Sequence, residues 1–368
     1  MRIGLADNKK NRVCIIFPGN IFTTPFLKRY TDILKQVRVD YDVVYWDAAG
    51  VKESTDAVDS YVLSYKMKPL DHPIRKLFGY YRFYKLASEV IKSNQYGRVI
   101  CLTSVPAVML CYDLIKQYDG QYIVDIRDYY KEGNHFYFKR EKKAIEHSFF
   151  SVISSPGYKE FLPDYQYIIA HNITWIKREE LNRLLKIPKI HKKTIQLSYI
   201  GNMRFFNLDK QLLFFFANDN RFRINLIGKG YSALQQYCND NRITNVKIID
   251  WFPPEKTLEY YKETDIVLNL YGNGSPTVDY ALSNKLYYAA QLRKPILVCP
   301  KTYMEKITTK YGFGFVLDLD KPLIKDELFK YYNSMNWDFF SENCVRFLED
   351  VRRDDELFVN HVIEFLHI

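Results

Sequence analysis

Short, almost wholly apolar runs recur along the chain, and longer amphipathic stretches separate them. In the first half, Arg12–Phe17 (RVCIIF), Tyr41–Tyr45, Arg98–Leu102, Tyr122–Asp125, Ser148–Ser154 and Tyr167–Ala170 read as strands. Thr24–Val37 and Val105–Gln117 read as helices between them. A polar, basic stretch, Lys177–Lys193, contains Pro188 and little strand character, which marks it as the linker. The alternation then restarts, with strands expected at Ile195–Ile200, Arg223–Ile227, Val246–Ile249, Asp265–Leu270, Pro295–Val298 and Gly314–Leu317. Helices are expected near Asp209–Ala217, Tyr231–Asn239, Glu255–Lys262 and Asn284–Leu292, and the charged tail Trp337–Leu366 is helical. Strands separated by helices call for parallel sheets with right-handed crossovers. The expected class is therefore α/β, with two doubly wound domains over residues 1–180 and 194–345. Their ligand site is expected where the carboxyl ends of the two sheets bound a cleft.

A chain of 368 residues suits two such domains better than one core. The net charge of +10 points to an anionic partner. No zinc-knuckle spacing, RNA-binding aromatic motif or basic tail is visible, so nucleic acid is not the expected one. The six cysteines are scattered without CxxC pairs, and Cys14, Cys101 and Cys299 fall in apolar runs, which fits a reducing cytoplasm. Met1–Arg12 is polar and no apolar run is long enough to span a bilayer, so a cytoplasmic protein, soluble or peripheral on the inner membrane face, is expected. Arg75–Lys85 (RKLFGYYRFYK) mixes cations with large aromatics. It reads either as a membrane-surface element or as an amphipathic helix that packs Leu77, Tyr80 and Tyr84 inward.

Candidate chemistry gathers at strand–helix junctions. In SPTVDYALSNKLYYAAQLRKPILVCP (Ser275–Pro300) a helix opens at Ser283-Asn284-Lys285 after a loop. Ser283 is a plausible N-cap, free N–H groups face an anion there, and Lys285 adds a full charge in the first turn. Gly201 turns the chain after a strand, and the cations Arg204 and Lys210 follow it. Gly228 sits in a strand–glycine turn, and Gly19 in the Pro18-Gly19-Asn20 turn after the first strand. Asp125, Arg127 and Asp128 place three charges at one strand end, either as a site or as an Asp–Arg pair pinning the loop. No metal-ligand spacing is present.

The Ser275–Pro300 segment resembles the donor-diphosphate loop and helix of GT-B glycosyltransferases, particularly bacterial polysaccharide enzymes of the family-4 type. The resemblance implies two Rossmann-like domains and a C-terminal helix, 346–368, that packs back on the first. It implies a nucleotide diphosphate-sugar donor, UDP-linked, bound by Gly19, Gly201, Arg204, Lys210, Gly228, Asp279, Ser283, Asn284, Lys285 and Tyr288. The acceptor would be a glycan, glycolipid or glycoprotein, transfer would retain anomeric configuration, and neither a cofactor nor a metal would be needed. Asp128 and Arg127 resemble the family's acceptor-side catalytic pair. The family's two glutamates fall here on Tyr280 and Tyr288, and Asp279 is the carboxylate beside them. That departure keeps two other readings open: a degenerate glycan-binding or activator subunit, and a nucleotide-sugar 2-epimerase.

Overall fold

A computed structural model of the chain describes residues 9–68, 70–185, 191–321 and 323–367. They form two compact units, one running to His171 and resuming at Arg353, the other Asn172–Arg352.

The first unit contains β1 (Val13–Phe17), α1 (Leu27–Gln36), β2 (Tyr41–Asp47), β3 (Ser60–Ser64), α2 (Pro73–Asn94), β4 (Arg98–Leu102), α3 (Ser104–Tyr118), β5 (Tyr122–Ile126), α4 (His135–Glu146), β6 (Phe150–Ile153) and β7 (Ile168–Ile169). Its seven strands are all parallel in the order β3-β2-β1-β4-β5-β6-β7. Every residue of β1, β2 and β5 is buried, because helices cover both faces of a parallel sheet. β3 was not legible as an apolar run: it is an edge strand in which only Leu63 is buried.

The second unit contains α5 (Arg178–Leu184), β8 (Ile195–Ile200), α6 (Phe206–Phe215), β9 (Phe222–Ile227), α7 (Gln235–Asp240), β10 (Val246–Ile249), α8 (Thr257–Glu263), β11 (Ile266–Asn269), α9 (Pro276–Asp279), α10 (Asn284–Gln291), β12 (Ile296–Val298), α11 (Tyr303–Tyr311), β13 (Gly314–Val316) and α12 (Ile324–Asn333). Six parallel strands run in the order β10-β9-β8-β11-β12-β13. Alternate residues feed two cores. Leu197, Ile224, Leu226 and Leu268 pack on one face, while Ile200, Ile227, Val267 and Ile296 pack on the other. Each fully buried aliphatic side chain of this kind contributes about 1.5–3 kcal/mol.

The segment expected to be a linker is partly structured. Ile173, Trp175, Ile176 and Leu181 pack on the second core and Leu184 is buried in it, so the two units divide at His171, ahead of the basic stretch. Residues 186–190, including Pro188, lie outside the described residues. The last helix, α13 (Trp337–His367), serves both units. Phe340, Cys344, Phe347 and Val351 enter the second unit's core, and Phe358, Val362 and Phe365 enter the first's.

α2 corrects an expectation. Leu77 faces solvent, whereas Tyr80 packs edge-on against Trp46 as expected and Tyr84 is half-buried. The fully buried residues of the helix include Gly79 and Phe83, both against Trp46, and Ala87. A side chain at 79 would overlap the indole, so only glycine lets the helix sit this close.

Candidate functional site

The order of each sheet reverses direction beside its first strand, and in such sheets ligands meet the carboxyl ends of the strands at that point. In the second unit the reversal lies between β8 and β11. β8 runs into Gly201, which has φ +143°, and β9 runs into Gly228, with φ +144°. Both are values that L side chains rarely adopt. A Cβ on Gly228 would overlap the Gly201 carbonyl, so the two glycine turns lie side by side.

Under these turns sits Lys285. Ser283 is the N-cap of α10, its Oγ accepting a hydrogen bond from the Lys285 N–H at 3.1 Å. The Lys285 side chain turns inward and is only 7% exposed. Its Nζ donates to Tyr271 Oη at 2.9 Å and lies 4.1 Å from the centre of the Tyr199 ring. It is also 3.3 Å from the place a Cβ on Gly201 would occupy. Among the described residues no carboxylate lies within ion-pair distance of this ammonium. Burial therefore pulls its pKa below the ordinary lysine value, and the Tyr271 hydroxyl opposes that only in part.

The surrounding groups carry the same imprint. Burial alone would push the Tyr271 phenol up, but the Lys285 ammonium, Tyr199 and Ser283 bring it below its ordinary value. Asp209 is buried, and its Oδ2 meets no hydrogen-bond donor among the described residues. Burial pushes its carboxyl up to about 7 against the pull of Lys285. The exposed Arg204 guanidinium lies 5.9 Å from the Tyr271 ring centre. A buried cation with no carboxylate in ion-pair contact, a capped helix N-terminus and glycine turns together make an anion-receptive corner.

No family model and no curated protein matches the sequence. Solved structures do match. Sucrose-phosphate synthase from Thermosynechococcus elongatus superposes with a TM-score of 0.67, over 95% of this chain and 97% of that one, at 10% identity. HepE from Anabaena, solved in complex with UDP, gives 0.62 over 96% and 100% at 9% identity. A putative UDP-N-acetylglucosamine 2-epimerase from Listeria monocytogenes gives 0.56 over 94% and 97% at 12% identity. The chain has the GT-B fold.

Of the donor-side residues that the sequence singles out, the GT-B chain brings Gly201, Gly228, Ser283 and Lys285 together, with Asn284 exposed at the start of α10 and Arg204 nearby. Lys210 is not in this group: its ammonium lies over the Phe206 and Tyr237 rings, at 4.5 and 5.1 Å. Asp279 accepts from the Gly274 N–H at 2.9 Å and so ties its own loop. Tyr288 stacks on Tyr261, with ring centres 5.0 Å apart. Gly19 follows β1 in the first unit, where a Cβ would make only ordinary contact with Thr23, so the turn does not demand glycine.

On the acceptor side, Asp128 is exposed just past β5, whereas Arg127 is enclosed. Its guanidinium meets Asp125 at 2.5 Å, donates to the Ala170 carbonyl at 2.9 Å and lies 4.8 Å from the Phe26 ring centre. Tyr30 Oη donates to the same Asp125 at 2.7 Å. Residues 125 and 127 share one side of an extended chain, which here is the side under α1. Arg127 therefore pins the loop and is not presented to a ligand.

Sequence reasoning overlooked Tyr199, Tyr271 and Asp209. It also overlooked a second buried group beside β4 and β5. Glu141 and Glu132 are buried near Ser104 and Tyr137, whose hydroxyls are 2.7 Å apart. Burial pushes both carboxyls up, and the charge of Glu132 pushes Glu141 further, so the pair holds on to a proton.

Proposed function

We propose that this chain is a glycosyltransferase whose second unit binds a nucleotide diphosphate-sugar, UDP-linked, and whose reaction moves the sugar to a glycan acceptor in surface polysaccharide or glycoprotein synthesis. The observation that carries the reading is the Lys285 ammonium, buried beneath the Gly201 turn with a phenol instead of a carboxylate as its partner. Such a charge is costly unless an anion completes it. When the glycosidic bond to the diphosphate breaks, negative charge grows on the leaving phosphate oxygen. Lys285, Arg204 and the N–H groups opening α10 would stabilise that charge without rearranging. Asp128 is the carboxylate proposed for the acceptor side, and retention of configuration remains part of the proposal. HepE, with its bound UDP, supports the choice of nucleotide.

The Listeria neighbour favours a second reading, interconversion of nucleotide sugars. One experiment separates the possibilities. The chain is titrated with UDP and GDP, then incubated with a panel of nucleotide sugars with and without glycan acceptors. UDP binding and acceptor-dependent UDP release are expected. Interconversion of donors would replace transfer by epimerisation, and UDP binding without turnover would leave a binding subunit. Failure to bind any nucleoside diphosphate would overturn the reading.

A further inference from the structure

α2 carries two apolar stripes, and only one of them is used inside the fold. Gly79, Phe83, Ala87 and Val90 face the sheet. On the opposite side Ile74, Leu77, Phe78 and Tyr81 follow the i, i+3, i+4, i+7 pattern of a single helix face, and they are 70%, 70%, 52% and 53% exposed. Leu70, just ahead of the helix, is 99% exposed. Water is a poor environment for a continuous stripe of this kind.

Charge identifies what covers it. Between Lys66 and Lys85 the sequence holds six cations and a single carboxylate, Asp71, which pairs with Arg75 at 3.4 Å. Arg82 lies along the Phe78 ring at 5.9 Å and Lys85 along the Tyr81 ring at 5.7 Å, so their stems border the stripe. Beside it opens a cavity of about 520 Å³, walled by Leu77, Tyr80 and Tyr130 and edged by Lys68, Lys76 and Lys131. Among the described residues no helix is long and apolar enough to cross a membrane. A narrow apolar face ending in aromatic rings and bordered by long cations is the composition of a helix that lies in the plane of a negatively charged lipid surface.

We propose that α2 docks this chain on a bilayer containing anionic lipid. Ile74, Leu77, Phe78 and Tyr81 enter the boundary between headgroups and acyl chains. Arg82, Lys85 and the lysines around the cavity meet lipid phosphates. The inference stands on α2 alone and is independent of what the chain transfers.

The test is co-sedimentation of the full chain with vesicles of phosphatidylcholine alone or mixed with phosphatidylglycerol, at low and high salt. Binding to the mixed vesicles is expected, weakened by salt and absent from the neutral ones. The double variant Leu77→Gln/Phe78→Gln changes exposed side chains only, so it should fold normally while binding roughly tenfold or more weakly. Arg82→Gln should weaken binding about fivefold. No binding to mixed vesicles would overturn the proposal, as would binding that the double variant leaves unchanged. A change of oligomeric state in the double variant with vesicle binding intact would assign the stripe to a second copy of the chain instead.

Discussion

Each unit buries a cation near the carboxyl end of its sheet, and the two are treated differently. Arg127 in the first unit has Asp125, Tyr30 and the Ala170 carbonyl around it, so its charge is met within the protein. Lys285 in the second has a phenol, an aromatic ring and two glycine turns. The first arrangement is complete and holds a loop. The second has no carboxylate in ion-pair contact, and Asp209, which acts on Lys285 at longer range, has its own carboxyl pushed up by burial. Burial alone does not mark a functional residue; what marks it is burial that the protein has left electrostatically unfinished.

The largest effect expected from this contrast is on the stability of the first unit. Asp125→Ala leaves Arg127 buried and unpaired, and breaking one side of such a pair costs about 3–5 kcal/mol. Denaturant unfolding should show that loss while UDP affinity in the folded fraction stays the same. A variant as stable as the parent would mean that the Asp125–Arg127 pair holds nothing.

Lys285→Met is the mirror experiment. It removes a desolvated charge that has no carboxylate in ion-pair contact, so stability should change little. Transfer, or UDP affinity if transfer cannot be assayed, should fall on the order of a hundredfold, about 2.7 kcal/mol. A large stability loss with normal UDP binding would make Lys285 structural and erase the difference between the two units.

The carboxyl pair in the first unit sharpens the comparison through pH. Glu141 is raised above the ordinary glutamate value, by burial first and then by Glu132, so the folded state keeps a proton that the unfolded state has released. The folded state then binds more protons, and its stability must decline as pH rises above the ordinary glutamate pKa towards the raised folded value. The slope is at most about 1.4 kcal/mol per pH unit for one proton. Glu141→Gln mimics the protonated form and should flatten the decline in thermal scans across neutral and mildly alkaline pH. An equally steep decline in the variant would place the proton elsewhere.

Much of this was legible in the residues. The strands Arg98–Leu102, Ile195–Ile200 and Val246–Ile249 match the expected runs residue for residue; the first two lie inside their sheets and are mostly buried, and the third, at a sheet edge, was still marked by its Val and Ile residues. β3 escaped because its edge position leaves it flanked by serines, with a single buried residue, Leu63. The N-cap at Ser283 could be read from the triplet alone. Other features depend on distant partners. Tyr271 gains its meaning from Lys285, fourteen positions on, and Asp209 from a helix that is local only in space. The enclosure of Arg127 could have been anticipated, since Asp125 stands two residues earlier on the same side of the strand. The solvent-facing stripe of α2 was visible in its spacing, but two apolar faces on one helix gave no means of telling which turned inward.

The smallest effect, and the one that tests the electrostatics of the second unit most closely, belongs to Tyr271→Phe. Losing one hydrogen bond to the ammonium is worth about 1 kcal/mol, or roughly a fivefold loss of UDP affinity at neutral pH. The direction in pH is more informative. UDP binding should weaken in alkali in the parent, either because Lys285 loses its proton or because Tyr271 becomes a phenolate that repels the diphosphate. Burial lowers the Lys285 pKa, and the Tyr271 hydroxyl, more than Asp209, raises it again. If Lys285 is responsible, removing that hydroxyl lets the proton leave sooner, and the alkaline loss of binding moves to lower pH. If Tyr271 is responsible, the loss disappears in the variant. We expect the shift to lower pH in titrations followed by calorimetry, because a buried ammonium with no carboxylate beside it is the weaker holder of its charge.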